Sequence, residues 1–238
     1  MVHPHVRSSS DPYDGLEDQL IELIGLVKIV PPLIQQDRER RWHEISGRPV
    51  DDPDSDIIDT FGSEAGPEEG YGFAKYDYTI YVAAVVTAWE SFREYLIREL
   101  YESVFFYNLT AYPALTKLVK EERQRWSRRL DSIRQRYRDF MAIKLTDLPS
   151  WEAVAHAHQL RNALVHNLGQ YTQDYLKTKM ARRPQDEDTD GVMHRYPDDE
   201  LIDQATIPLS EEFVRDVIGS LLRAAQEIRE AVAARNAL

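Results

Sequence analysis

Apolar residues recur every three or four positions along most of the chain, the pattern of helices that bury one face. The predicted helices cover 14–45 with a break or kink at Pro31-Pro32, about 74–107, Pro113 to Met141, 151–168, a short stretch within 172–180, and a last helix from Ser210. The 74–107 segment carries two apolar faces, so we expect a central helix. Strand-like alternation is scarce, and the predicted fold class is therefore all-α.

Helix ends and core positions follow from the same pattern. Ser150 and Ser210 each precede a helix and are predicted N-caps, and Gly169 is expected to end the 151–168 helix. The core stripe of that helix is predicted to be Ala157, Leu160, Leu164 and Leu168. For the helix before it, Trp126, Leu130, Ile133 and Tyr137 are expected to point inward.

Acidic residues concentrate between the predicted helices. Residues 51–69 hold eight Asp or Glu side chains and no Lys or Arg, and further acidic clusters lie at 186–190 and 198–200. We expect residues 1–13 to be disordered and residues 14–238 to form one helical domain, interrupted by acidic loop insertions at 51–70 and 182–205.

Composition excludes several classes of protein. The net charge is 29 − 41 = −12, which argues against a broad surface that coats nucleic acid but allows a local basic groove. With no Cys, disulfides, thiolate metal sites and Cys nucleophiles are excluded. There is no apolar run of about 18 residues and no signal-peptide core, so we expect no membrane span and a cytoplasmic protein. Phosphate-binding loops, dinucleotide fingerprints and nucleophile elbows are also missing.

The most informative segment is 161–167, Arg-Asn-Ala-Leu-Val-His-Asn. Arginine binds phosphate through a permanently charged planar fork, and histidine transfers protons near neutral pH. The two side chains diverge by about 140° on an ideal helix. Either Arg161 reaches round to His166, or the two act from opposite sides of a cleft, which a twofold dimer would provide. A second pair at the same spacing, Arg38 and His43, lacks the flanking Asn and Gly, and we treat it as coincidental.

Arg161-Asn162-x-x-x-His166-Asn167, followed by Gly169, resembles the signature of the HEPN superfamily of small all-helical domains. The flanks are similar as well, with Trp89-Glu90-Ser91 on a long apolar helix before the motif and a final helix after it. The resemblance implies a HEPN-like helical bundle. It also implies a homodimeric, metal-independent endoribonuclease without a cofactor. The resemblance further implies a role in toxin–antitoxin or antiviral defence, with an antitoxin or regulatory protein as partner.

The resemblance also implies roles for individual residues. Arg161 would hold the scissile phosphate of RNA, and His166 would transfer protons, leaving a 2′,3′-cyclic phosphate. Asn162 would orient His166 or contact the substrate. Glu90, or alternatively Glu94, would orient Arg161. Asn167 and His158, which flank the pair on the same helix, are supporting candidates.

Other interpretations stay open from the sequence. Arg161 can form an ordinary salt bridge, His166 can be half-buried, and Glu90 can pair with Arg93. His156, His158 and His166 lack a carboxylate at metal-ligand spacing, so no metal site is predicted.

The basic stretch 117–138 is either a solvated helix face, an RNA-backbone track or a dock for an acidic loop. For the RNA track the candidates are Arg125, Arg128, Arg129 and Arg136. The alternative function is a non-catalytic HEPN-like scaffold that binds a partner protein or a nucleotide, and a third is a purely structural helical protein.

Overall fold

The computed structural model describes residues 11–46, 74–111, 129–181 and 206–237. These ranges contain α1 (Pro12–Ser46), α2 (Ala74–Ala111), α3 (Leu130–Met141), a 3₁₀ turn (Leu145–Asp147), α4 (Trp151–His166), α5 (Gln173–Leu176) and α6 (Glu211–Asn236). The β pairing within them is one isolated bridge between Gln170 and Thr206. The prediction of an all-α fold is confirmed. No helix in the described part is both long and apolar enough to cross a membrane.

α2 is the central helix, because it packs against α1, α3, α4 and α6. Its fully buried side chains include Val85, Phe92 and Leu96. Two buried tyrosines tie neighbouring helices together through main-chain carbonyls: Tyr95 on α2 donates to Ala225 at 3.0 Å, and Tyr137 on α3 donates to Leu96 at 2.9 Å. Each buried hydroxyl group thereby keeps a hydrogen-bond partner.

α1 differs from the prediction at its start and in its middle. It begins at Pro12 with Tyr13 buried, so the predicted disordered segment 1–13 is helical in its last two residues, while residues 1–10 lie outside the described part. The helix continues through Pro31 and Pro32 and is not broken there. A proline inside a helix costs about 3 kcal/mol, and packing of the apolar face of α1 on α2 and α6 offsets that cost.

α3 is shorter than predicted because Arg129 has an extended backbone, with φ −121° and ψ 130°. A continuous helix from Pro113 to Met141 is therefore wrong, and residues 112–128, including Trp126, Arg125 and Arg128, lie outside the described range. Because Arg129 precedes the first residue of α3, it does not lie on one helix face with Arg136. Ile133 and Tyr137 are buried, as predicted.

α4 ends at His166, two residues earlier than predicted. Leu168 and Gly169 both take left-handed backbone conformations, with φ of 53° and 82°. Leu168 consequently leaves the helical stripe and is 86% exposed, so its predicted place in the core is wrong. Glycine is favoured at position 169, since a Cβ on its left-handed backbone would overlap the hydroxyl of Tyr78 unless that side chain shifts.

The two predicted N-caps behave differently. The Ser210 hydroxyl accepts a hydrogen bond from the Phe213 amide at 3.2 Å, which confirms the cap of α6. Ser150 instead donates from its amide at 3.0 Å and its hydroxyl at 2.7 Å to the carboxylate of Glu227 on α6. A carboxylate accepts these bonds more strongly than a hydroxyl and suits the positive end of α4. The predicted loop insertions 51–70 and 182–205 lie outside the described residues.

Candidate active site

An open cleft of about 630 Å³ lies between α2, α3 and α4. The six residues predicted to be catalytic or supporting all line it: Glu90, His158, Arg161, Asn162, His166 and Asn167. Glu94, the alternative to Glu90, is exposed and does not line the cleft. The fold therefore gathers residues of two helices into one solvent-accessible site.

A carboxylate on α2 anchors Arg161. Arg161 Nη2 donates to Glu90 Oε1 at 2.8 Å, and the other oxygen of Glu90 contacts Arg93 Nη2 at 2.5 Å. Both partners considered for Glu90 are thus bound at once. The Arg161 side chain is 22% exposed, so the guanidinium group is held but still reaches solvent. Two guanidinium groups share one carboxylate, which leaves a local charge of 2 − 1 = +1.

His166 meets Arg161 within the same chain. Arg161 Nη1 lies 3.1 Å from His166 Nε2, so the long arginine side chain reaches round the helix, as the first of the two predicted alternatives requires. The spacing of Arg161 and His166 is therefore satisfied within one chain and gives no argument for a second copy. A guanidinium group has no lone pair to offer, so Nε2 accepts and the neutral imidazole carries its proton on Nδ1. His166 is the last residue of α4 and is exposed.

Asn162 connects Arg161 to a second histidine. Its Oδ1 accepts from Arg161 Nη1 at 3.3 Å, and its Nδ2 lies 3.2 Å from His158 Nε2. Among the described residues these are its side-chain partners, and His166 is not one of them. Asn162 therefore contacts Arg161 and His158 and does not contact His166.

His158 is half-buried beside an aromatic ring. It stacks on Trp89 with ring centroids 4.9 Å apart and planes inclined by 31°. Burial, followed by the charge of Arg161, lowers the pKa of His158, while Asp131 and Glu90 raise it in part. The ring is thereby kept neutral at neutral pH.

The three neighbouring histidines of α4 do not converge. His156 is buried against Tyr175 and Phe213, away from the cleft, and burial lowers its pKa to about 4. His158 packs on Trp89, and His166 is exposed at the helix end. Within residues 11–46, 74–111, 129–181 and 206–237, no three His, Asp or Glu side chains are grouped as metal ligands.

The cleft is more basic than the chain as a whole. Four arginines (Arg93, Arg129, Arg134, Arg161) and three acidic residues (Glu90, Asp131, Asp174) line it. Their balance of 4 − 3 = +1 contrasts with −12 for the protein. Of the predicted RNA contacts, Arg129 lines the cleft, whereas Arg136 lies outside it with its guanidinium over the Phe140 ring at 5.6 Å.

Arg93 and Arg134 were missed by the sequence reasoning as cleft residues. Arg93 follows Glu90 by three positions on a helix and was predicted only as an ordinary salt-bridge partner of Glu90, a contact that the structure shows. Arg134 sits next to the cleft only because of the way α3 packs, and it is paired with Asp131 at 3.2 Å.

Comparisons with protein-family models, curated proteins and solved structures gave no match to this chain. A fixed cation and an imidazole lie 3.1 Å apart at an open surface, and a carboxylate binds the cation from the side of α2. Such a pair can bind a phosphate oxygen and accept a proton from a neighbouring hydroxyl.

Proposed function

We propose that the protein is a metal-independent endoribonuclease of HEPN type that cleaves cytoplasmic RNA through attack by the 2′-hydroxyl. The observation that carries the proposal is the contact of Arg161 with His166 in an open cleft, where Glu90 anchors the arginine. RNA is the substrate class because the residues supply a base and a cation but no nucleophile of their own. The 2′-hydroxyl provides that nucleophile, and DNA lacks it.

His166 is the proton acceptor in this reaction. Its Nε2 takes the proton of the 2′-hydroxyl while the 2′-oxygen attacks phosphorus. The bond from phosphorus to the 5′-oxygen breaks, the 5′-oxygen takes a proton, and the products are a 2′,3′-cyclic phosphate and a 5′-hydroxyl. In the free protein Nε2 accepts from Arg161. A phosphate that takes over the arginine's donors frees the Nε2 lone pair for the incoming hydroxyl.

Arg161 stabilises the negative charge that grows on the phosphate oxygens. Its planar fork fits two oxygens at once, and its charge persists at any pH at which proteins are folded. Glu90 fixes the guanidinium in place before the substrate arrives, so little reorganisation accompanies the reaction. Since Glu90 is shared with Arg93, the arginine pair keeps a net positive charge toward the phosphate.

The test is cleavage of a fluorescent RNA by the full chain in EDTA. Arg161→Ala should lower the rate by about 10²–10³-fold, and His166→Ala by about 10²–10⁴-fold. Matched controls are Arg38→Ala and His43→Ala, which remove the pair of equal spacing on α1 and should leave cleavage unchanged. DNA of the same sequence should remain intact.

Two results would overturn the proposal. Cleavage that persists in both Arg161→Ala and His166→Ala would come from a contaminant or another site. RNA or protein binding without any cleavage would favour the non-catalytic scaffold instead. Mass spectrometry of the products adds a check, because a 3′-phosphate formed directly by water is incompatible with attack by the 2′-hydroxyl.

The proposal extends to a homodimer and to a role in toxin–antitoxin or antiviral defence, with an antitoxin or regulatory protein that restrains the enzyme. In a dimer, the same histidine of a second copy would protonate the leaving 5′-oxygen. Sedimentation velocity of the purified chain tests this part separately. A monomer that cleaves RNA at full rate would contradict the dimer and leave the nuclease proposal standing.

A further inference from the structure

A row of side-chain contacts leads away from the reacting pair into the protein. It runs from His166 through Arg161 and Asn162 to His158. We propose that His158 is a positioning residue for the proposed reaction: as a neutral ring it locks Asn162 in the orientation that holds Arg161, and its protonation releases that lock. The expected effect on RNA cleavage rests on the proposed function. The hydrogen bonds that join His158, Asn162 and Arg161 are a property of the free protein.

The asparagine has one orientation that satisfies both neighbours. Arg161 offers only donors, so the amide oxygen of Asn162 must face it, which leaves the amide nitrogen toward His158 Nε2. That nitrogen is also a donor, so Nε2 must carry a lone pair. A neutral ring protonated on Nδ1 meets this requirement.

Protonation of His158 reverses the requirement. Nε2 then becomes a donor and needs the oxygen of Asn162. A flipped amide would turn its NH₂ group toward the guanidinium of Arg161, where two donors face each other without an acceptor. An amide that does not flip meets the same conflict at His158. In either case Arg161 or His158 loses its hydrogen bond to Asn162, and the new positive charge on His158 also repels Arg161.

The groups around His158 determine the pH range in which its ring gains a proton. The ring stacks on Trp89 of α2 and is half-buried. The charged groups facing it are Arg161 on its own helix, Glu90 on α2 and Asp131 on α3. Burial and Arg161 together outweigh the two carboxylates, so the pKa of His158 lies below its ordinary value of 6.5. The lock therefore holds at neutral pH and opens as the medium becomes acidic.

Two substitutions separate the chemistry of the ring from its packing. His158→Gln supplies an amide oxygen that can accept from Asn162 but does not titrate. His158→Phe keeps a ring against Trp89 but offers no acceptor. A role limited to packing predicts that Phe is the better replacement, whereas the lock predicts that Gln is.

The decisive measurement is NMR of the free, full-length protein from pH 8 down through the range in which the His158 ring titrates, which needs no nuclease activity. The side-chain amide of Asn162, assigned by its loss in Asn162→Ser, should titrate together with the His158 ring, and the Arg161 side-chain signals should follow. In His158→Gln the Asn162 signal should stay constant with pH. An Asn162 amide that does not move while His158 titrates, or that titrates equally in His158→Gln, would overturn the inference.

Cleavage kinetics provide a second test of the inference. His158→Phe should lower kcat/KM by up to about 10²-fold, as expected for a misplaced catalytic group. His158→Gln should restore most of the rate and, at acidic pH at which the His158 ring is protonated, retain more of it than the unmodified protein does. If the cleavage rates of His158→Gln and of the unmodified protein fall equally as the pH drops, the inference is rejected and the nuclease proposal stands. Coupled NMR titrations without cleavage at any pH would reject the nuclease and keep the lock. Circular dichroism confirms that each variant is folded.

Discussion

Glu99 is a buried carboxyl group on α2 that should make the protein less stable as the pH rises. The residue is 9% exposed, and its carboxylate accepts from the Ser103 hydroxyl at 3.4 Å. Burial is the main reason that its pKa rises from 4.5 to about 7, and the negative charges of Asp11 and Glu102 add to the effect. The folded protein therefore holds a proton that the unfolded chain has already released.

The sign and size follow from that difference in proton affinity. Well below pH 4.5 both states are protonated, so the ionisation of Glu99 contributes nothing to the free energy of unfolding. Between pH 4.5 and about 7 the unfolded state ionises first, so stability falls. Each tenfold change in proton affinity is worth about 1.4 kcal/mol, so the total loss is at most about 3 kcal/mol. Above about pH 7 the loss is complete and constant.

Glu99→Gln removes this ionisation while keeping the shape of the side chain. We expect the variant to match the original protein near pH 4.5 and to exceed it by up to about 3 kcal/mol at pH 7.5. Urea unfolding followed by circular dichroism at four pH values measures the difference. Glu94→Gln, an exposed carboxyl group on the same helix, is the control and should change stability by less than about 0.5 kcal/mol. A difference between Glu99→Gln and the original protein that is independent of pH would refute the reasoning.

Four further substitutions test other parts of the structure. Because burial lowers the pKa of His156 from 6.5 to about 4, stability should fall as the pH drops across that interval, and His156→Phe should lessen the fall in thermal melts; an equally steep fall would contradict this. Gly169→Ala should cost about 1–3 kcal/mol in urea unfolding, since the left-handed backbone and a close side chain oppose a methyl group. Gly25→Ala, in open space on α1, should instead gain up to about 1 kcal/mol, and equal effects would argue against the strain. Glu90→Gln should lower kcat/KM by up to about 10²-fold because Arg161 loses its charged anchor, and an unchanged rate would show that the anchor is dispensable.

The sequence alone was sufficient for several features that depend on near neighbours in the chain. The all-α class, the central helix α2 and the Ser210 cap follow from periodicity of apolar positions and from the chemistry of one residue beside a helix. The sequence also places Arg161, Asn162 and His166 within two turns of one helix, although it leaves open whether the tips of Arg161 and His166 meet. Local geometry is the same in any fold that contains that helix.

Only the tertiary structure decided the features that depend on distant partners. Glu90 lies 71 positions from the arginine it anchors, and Glu227 lies 77 positions from the Ser150 it binds, so no local pattern could pair them. Tertiary packing also accounts for the continuation of α1 through Pro31 and Pro32, although proline disfavours the interior of a helix. The ideal helix set the direction in which Arg161 leaves the backbone, but the contacts around its long, flexible side chain determined that its tip reaches His166.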